Sequence, residues 1–213
     1  MKKLIEVLSS RPAVHVIDDD EGMRVALQTL LFSVGYEART YSSAAEFLER
    51  FNADTSGCIL LDIRLPGISG IDLQAHLKRI GVAMPVMFIT GHADVPMAVR
   101  AMKDGACEFI EKPFREQDIL DRVNRAMLRD LDARKGDAHL AELRRRRESL
   151  TPRERQVMQL IAAGAVNREI ARDLGVSERT VEIHRSRVMQ KMEVRSVARL
   201  VKIQVSLEAP GSG

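Results

Sequence analysis

Tryptophan is absent from this 213-residue chain, aromatic residues make up 4% of it, and it holds two cysteines, Cys58 and Cys107. Two thiols exclude a disulfide scaffold and offer no cysteine-based metal site; each reads as a small buried hydrophobe. No apolar run reaches the 18 residues that would cross a bilayer. The start, Met1–Glu6, is positive but lacks the continuous apolar stretch and small-residue cleavage site of a secretory signal. A cytoplasmic protein without a membrane partner is the expectation. Nor does one sign of charge dominate, since 33 Lys and Arg stand against 30 Asp and Glu. With 45% hydrophobic residues, that balance is wrong for a generally disordered chain.

The balance conceals an asymmetry. Residues 1–130 carry 16 basic and 19 acidic side chains, a net −3, whereas residues 131–213 carry 17 and 11, a net +6. A polyanion is a plausible partner for the second piece.

The first piece alternates short apolar runs with helical patterns. Strands are expected at Pro12–Ile17, Tyr36–Tyr41, Cys58–Leu61, Val86–Ile89 and Ala106–Ile110. Helical spacing links Met23 to Val34, then Ala44, Phe47 and Leu48 behind the capping hydroxyls of Ser42 and Ser43. It recurs at Leu73 and Leu77 and over Val95–Met102. Strands apolar on both sides, alternating with helices, indicate an α/β fold: a five-stranded, doubly wound parallel sheet covered on both faces. Arg115–Glu148 is mostly helical, with Gly136 expected to interrupt it. The run Arg144–Arg147 reads either as a solvated face or as a basic approach to phosphate.

The polar residues fall where this architecture places ligands. Asp18, Asp19, Asp62, Thr90 and Lys112 lie at or just beyond the carboxyl ends of the predicted strands. Three carboxylates there need a compensating cation, and as hard oxygen ligands they suit Mg²⁺. Lys112 adds a point charge and Thr90 a small hydroxyl, so the group suits a phosphoryl accepted on Asp62 as nucleophile.

Four motifs in order carry a resemblance: Val16–Asp20, Leu61–Gly70, Thr90–His92 and Glu111–Phe114. Residues 12–130 resemble the receiver domain of a bacterial two-component response regulator, and Thr90–Val99 resembles the FixJ subgroup. The resemblance implies Mg²⁺ held by Asp18, Asp19, Asp62 and the backbone carbonyl of Arg64. It also implies phosphate taken by Asp62 from a sensor histidine kinase, contacts from Thr90 and Lys112, and a switch pairing Thr90 with Phe109. Phe109 also reads as plain core, and His92 as a contributor to dephosphorylation or to partner contact.

The basic piece is a series of short helices. Thr151-Pro152 with Glu154 forms a start signal, Asn167 is expected to cap Arg168–Leu174, and Gly175-Val176 turns the chain. Ser177 then caps Glu178–Met192, and Ser196 opens a last helix. On Glu178–Met192 the apolar side is Val181, Val188 and Met192, with His184 at its edge. Arg179, Glu182, Ile183, Ser186 and Gln190 lie broadly opposite, flanked by Arg187, and can enter a major groove. This all-α four-helix pattern over 148–207 resembles the LuxR/NarL class of helix-turn-helix domains, joined to the receiver by a basic helical linker over 131–147. By that resemblance Glu182, Ile183 and Ser186 read sequence, while Arg168, Thr180, Arg185, Arg187 and Lys191 are phosphate contacts.

The expected function is a phosphorylation-controlled regulator of promoter DNA, an activator by resemblance. It is not an enzyme beyond its own phosphorylation and slow dephosphorylation. A homodimer forming on phosphorylation and RNA polymerase are its expected partners. A carboxylate-phosphorylating hydrolase competes poorly, because Arg64 stands where some such phosphatases place an acid and turnover leaves 150–207 without a role. A receiver with a degenerate output remains the other alternative.

Overall fold

The computed structural model of the protein describes residues 12–52, 55–91 and 95–208. His92, singled out above, lies outside them. The chain divides into two compact units, Met1–Ala133 and Arg134–Gly213.

Unit one contains five strands, β1 (Ala13–Ile17), β2 (Glu37–Tyr41), β3 (Gly57–Asp62), β4 (Val86–Thr90) and β5 (Glu108–Glu111). They form a parallel sheet in the order β2-β1-β3-β4-β5. Helices α1 (Glu21–Ser33), α2 (Ala44–Arg50), α3 (Gly70–Arg79) and α4 (Val95–Lys103) connect them, and α5 (Glu116–Glu148) follows β5. Because successive side chains in a strand point to opposite faces, each central strand feeds two cores. Val14, Val16, Cys58, Leu60, Met87 and Ile89 join Leu27, Leu31, Ile119 and Val123 of α1 and α5. Ile17, Ile59, Leu61 and Phe88 join Phe47, Leu73, Leu77 and Ala101 of α2, α3 and α4. The expected doubly wound sheet is therefore present.

Sequence reading placed β5 over Ala106–Ile110, but the strand runs Glu108–Glu111, because Ala106 and Cys107 are still tying the preceding turn to Ala101 and Val86. Gly136 does not interrupt α5, which is continuous across it. A helix-interior Gly costs only about 1 kcal/mol, which a 33-residue helix outweighs. His15, buried on β1 beside Tyr41 and Phe47, is pushed down to about 4 by burial and stays neutral. Burial likewise raises both thiols, Cys107 to about 11, so neither is a ready nucleophile.

Unit two holds the end of α5 with α6 (Pro152–Ala162), α7 (Asn167–Leu174), α8 (Glu178–Lys191) and α9 (Val197–Glu208). They enclose one core that includes Leu143, Val157, Ile161, Ile170, Val181, Val188, Met192, Leu200 and Ile203. Thr151 and Glu154 form a complete capping box, and Ser177 accepts the Thr180 amide at 3.1 Å. The start of α7 differs from expectation. Val166, not Asn167, is the N-cap, since Glu169 at the third helical position takes the Val166 amide at 3.0 Å and Asn167 is already helical. Gly175 closes α7 in the left-handed conformation at φ 64°.

One glycine decides whether β1 and β3 can pair. Gly57 has φ 116°, and a Cβ there would lie 1.9 Å from the Ala13 carbonyl oxygen. Gly57→Ala is expected to cost about 2–4 kcal/mol in urea unfolding, through combined strain and clash. A loss below 0.5 kcal/mol would show that this approach is not tight.

Candidate functional site

The strand register assembles the acidic site. Ile17 sits opposite Leu61, so the next residues, Asp18 and Asp62, leave the sheet side by side. A carboxylate oxygen from each of Asp18, Asp19 and Asp62 lies within 4.8 Å of the others. Asp18 and Asp62 are buried and Asp19 is exposed. Lys112 bridges the two buried carboxylates, its Nζ donating to Asp18 Oδ2 at 2.7 Å and Asp62 Oδ2 at 2.9 Å.

Backbone groups fix these side chains. The Asp20 amide donates to Asp18 Oδ1 at 2.9 Å, and the Arg64 amide to Asp62 Oδ1 at 3.0 Å. The Lys112 amide donates to the Thr90 carbonyl at 2.8 Å, next to the cis Lys112–Pro113 bond. Thr90 is itself buried, and Phe109 is half-buried with its ring 6.4 Å from that of Phe88. Two contributors escaped the sequence reading. Arg24 donates to the carbonyls of Asp18 and Asp19 at 2.8 and 2.9 Å, holding the acidic pair from α1. Gly70 lets α3 start against the end of β3, because a Cβ would lie 2.2 Å from the Asp62 carbonyl oxygen. Asp20, third in the acidic run, turns away and caps α1.

Burial raises the Asp18 pKa, more than its bonds to Lys112 and the Asp20 amide lower it. Burial opposes the Lys112 charge too, yet bonds to Asp18 and Asp62 outweigh it and raise that pKa. Three carboxylates against one ammonium leave an excess of negative charge around hard oxygen donors. Such a donor set fits a hard divalent cation.

The second site is the exposed side of α8. Arg179, Glu182, Ile183, Ser186, Arg187 and Gln190 face solvent while Val181 and Val188 are buried. Arg168 is exposed on α7, and Arg185 is half-buried. The Thr180 hydroxyl is 2.8 Å from that of Ser177. His184 is half-buried, and its Nδ1 has no hydrogen-bond partner among the described residues. Lys191 is engaged elsewhere: its ammonium holds Glu154 at 2.7 Å and the Ser149 carbonyl at 3.2 Å. A phosphate would have to compete with those partners.

Residues 14–124 match the response regulator receiver domain, and residues 148–204 match the bacterial regulatory proteins of the luxR family. The chain is a response regulator of the FixJ/NarL type. Nodulation protein W of Bradyrhizobium diazoefficiens is 45% identical to this response regulator, covering 93% of the chain and 88% of the relative. Response regulator protein TodT of Pseudomonas putida is 40% identical, over 94% and 89%. Among solved structures, response regulator StyR aligns with a TM-score of 0.83 at 44% identity, covering 92% of this chain and 99% of StyR. Full-length FixJ from B. japonicum aligns with a TM-score of 0.57 at 38% identity, over 95% and 100%. The regulator therefore joins a receiver unit with an acidic cluster typical of receiver metal sites to a LuxR-type helix-turn-helix output. No helix among the described residues is long and apolar enough to cross a membrane.

Two predictions follow from the charges. A raised carboxyl pKa costs stability at neutral pH, and that cost disappears as pH falls into the ordinary carboxylate range. In chelator-containing buffer at neutral pH, Asp18→Asn should therefore raise unfolding stability; a loss would show that the Lys112 bridge outweighs burial. Glu154 behaves oppositely: burial opposes its charge, but Lys191 and the Thr151 amide hold its pKa below the usual range. Its contribution is present above the unfolded carboxylate pKa and fades as pH falls through the folded value. Glu154→Gln should cost about 1–3 kcal/mol at neutral pH, the cap plus a pair whose Lys191 stays partly hydrated, and markedly less in acid. A pH-independent loss would contradict this.

Proposed function

We propose that Asp62 accepts a phosphoryl group from a sensor histidine kinase and that the phosphorylated regulator binds promoter DNA through α8 as a dimer. The observation that carries this reading is the Lys112 bridge between Asp18 and Asp62 at the carboxyl edge of the sheet. An Asp62 carboxylate oxygen attacks phosphorus, a P–O bond forms, and the P–N bond to the kinase histidine breaks. The departing imidazole nitrogen retains the bonding pair and takes up a proton. Asp18, Asp19, Asp62 and the Arg64 carbonyl would hold Mg²⁺, which when bound would supply positive charge to the phosphoryl oxygens. Asp62 is already oriented by the Arg64 amide, and Lys112 can move its donors from carboxylate to phosphoryl oxygen with little travel. The Thr90 hydroxyl takes another phosphoryl oxygen, and Phe109 follows that movement as the switch.

In the output unit, Glu182, Ile183 and Ser186 read base edges, with Arg179 and Gln190 beside them. Arg168, Thr180, Arg185 and Arg187 meet phosphates, and Lys191 does so only by leaving Glu154. At a promoter the dimer acts as an activator and meets RNA polymerase.

Incubation with a small phosphodonor is expected to add one acid-labile phosphate only when Mg²⁺ is present, and Asp62→Asn should abolish the label in a folded protein. Persistent Mg²⁺-dependent labelling of that variant would remove Asp62 from the role. For α8, Arg187→Ala should weaken a selected and a scrambled duplex alike, whereas Glu182→Ala or Ser186→Ala should change preference between them, by about 1–3 kcal/mol per lost base contact. Equal losses from all three in competition binding would mean that another face of α8 enters the groove.

A further inference from the structure

The run Arg144–Arg147 is used by neither site, and the structure divides it. Arg145 pairs with Glu142 at 2.7 Å; Arg146 pairs with Glu142 at 3.0 Å and Glu193 at 2.9 Å. Arg144 and Arg147, three positions apart on one face of α5, have no ion-pair partner among the described residues. Arg155, from the first turn of α6, lines the same recess of about 330 Å³, with Glu148 and Leu207 completing it. Its guanidinium donates to the Leu150 carbonyl at 3.2 Å, which leaves most of its five N–H donors available. No guanidinium of the three is ion-paired with Glu148 among the described residues. Three cations against one carboxylate leave an uncompensated site for an anion.

The place of the recess says which anion. Ser149, two residues beyond Arg147, accepts a hydrogen bond from Lys191, the last residue of α8. The recess therefore lies beside the end of the reading helix, and a helix in the major groove is flanked by sugar–phosphate backbone. Leu207 is the one apolar residue in the lining, whereas docking a protein segment needs a buried apolar anchor. A phosphate backbone needs only charge and fork-shaped donors. We infer that Arg144, Arg147 and Arg155 form a clamp on duplex DNA phosphates outside the groove that α8 reads. This rests on the DNA-binding reading given above.

The test is a salt titration of the full-length chain on a selected duplex and a scrambled duplex of equal length. Each phosphate contact contributes a slope of about 0.9 in log affinity against log salt. The combined variant Arg144→Gln, Arg147→Gln, Arg155→Gln should lower that slope by about 2–3 on both duplexes and weaken both at least tenfold at about 0.15 M salt. Arg144 and Arg155 are exposed and Arg147 is half-buried, and circular dichroism checks that the variant folds. Generic charge loss is controlled by Arg195→Gln, Arg199→Gln, Lys202→Gln, three exposed cations elsewhere in the same unit, expected to lower the slope by less than about 1. A clamp variant whose slope matches wild type or this control overturns the inference while leaving the DNA reading intact, and an acidic protein as the true partner gives that same outcome. A wild-type chain that binds neither duplex overturns the DNA reading and the clamp with it.

Discussion

The Lys112 ammonium lies between two carboxylates that neither solvent nor each other can stabilise. Asp18 and Asp62 are both buried, 2.7 and 2.9 Å from the one cation among the described residues that touches them. Close like charges in a low-dielectric site favour protonation of one partner unless positive charge intervenes. Lys112 intervenes incompletely, and the remaining negative charge makes the site receptive to further cation. On the proposed function the same arrangement makes it responsive, because a phosphoryl group on Asp62 would change which oxygens Lys112 can satisfy.

Everything around the pair serves its placement. Parallel register aligns the ends of β1 and β3, Arg24 and two backbone amides set the carboxylates, and Gly70 lets α3 approach. On the next strand, Thr90 is buried in the same layer, and its carbonyl receives the Lys112 amide. A change at Asp62 thus has a short covalent and hydrogen-bonded route to β4 and β5, where Phe109 stands half out of the core.

The strands were legible because burial on both faces leaves near-continuous apolar runs, and the site because polar residues end those runs. Ser43, Thr151 and Ser177 were legible as caps because their hydroxyls have one local use. What escaped depends on contacts distant in sequence or on choices between similar local options. Glu169 reaches back from the third helical position to the Val166 amide, so α7 starts one residue earlier than the Asn at 167 suggested, without a capping side chain. Lys191 reads as a free cation on a helix face, yet Glu154, 37 residues away, holds it. The four consecutive arginines are identical in sequence, and only the positions of Glu142 and Glu193 divide them into paired and unpaired.

The central claim is that charge at Asp62 governs what the helix-turn-helix unit does. It is tested most directly by measuring duplex affinity and sedimentation of the same full-length preparation before and after phosphorylation. The account predicts that the dimer fraction and the affinity for a selected two-fold-symmetric duplex rise together on phosphorylation and fall together as the acyl phosphate hydrolyses. Equal dimerisation and equal affinity in both states would contradict it.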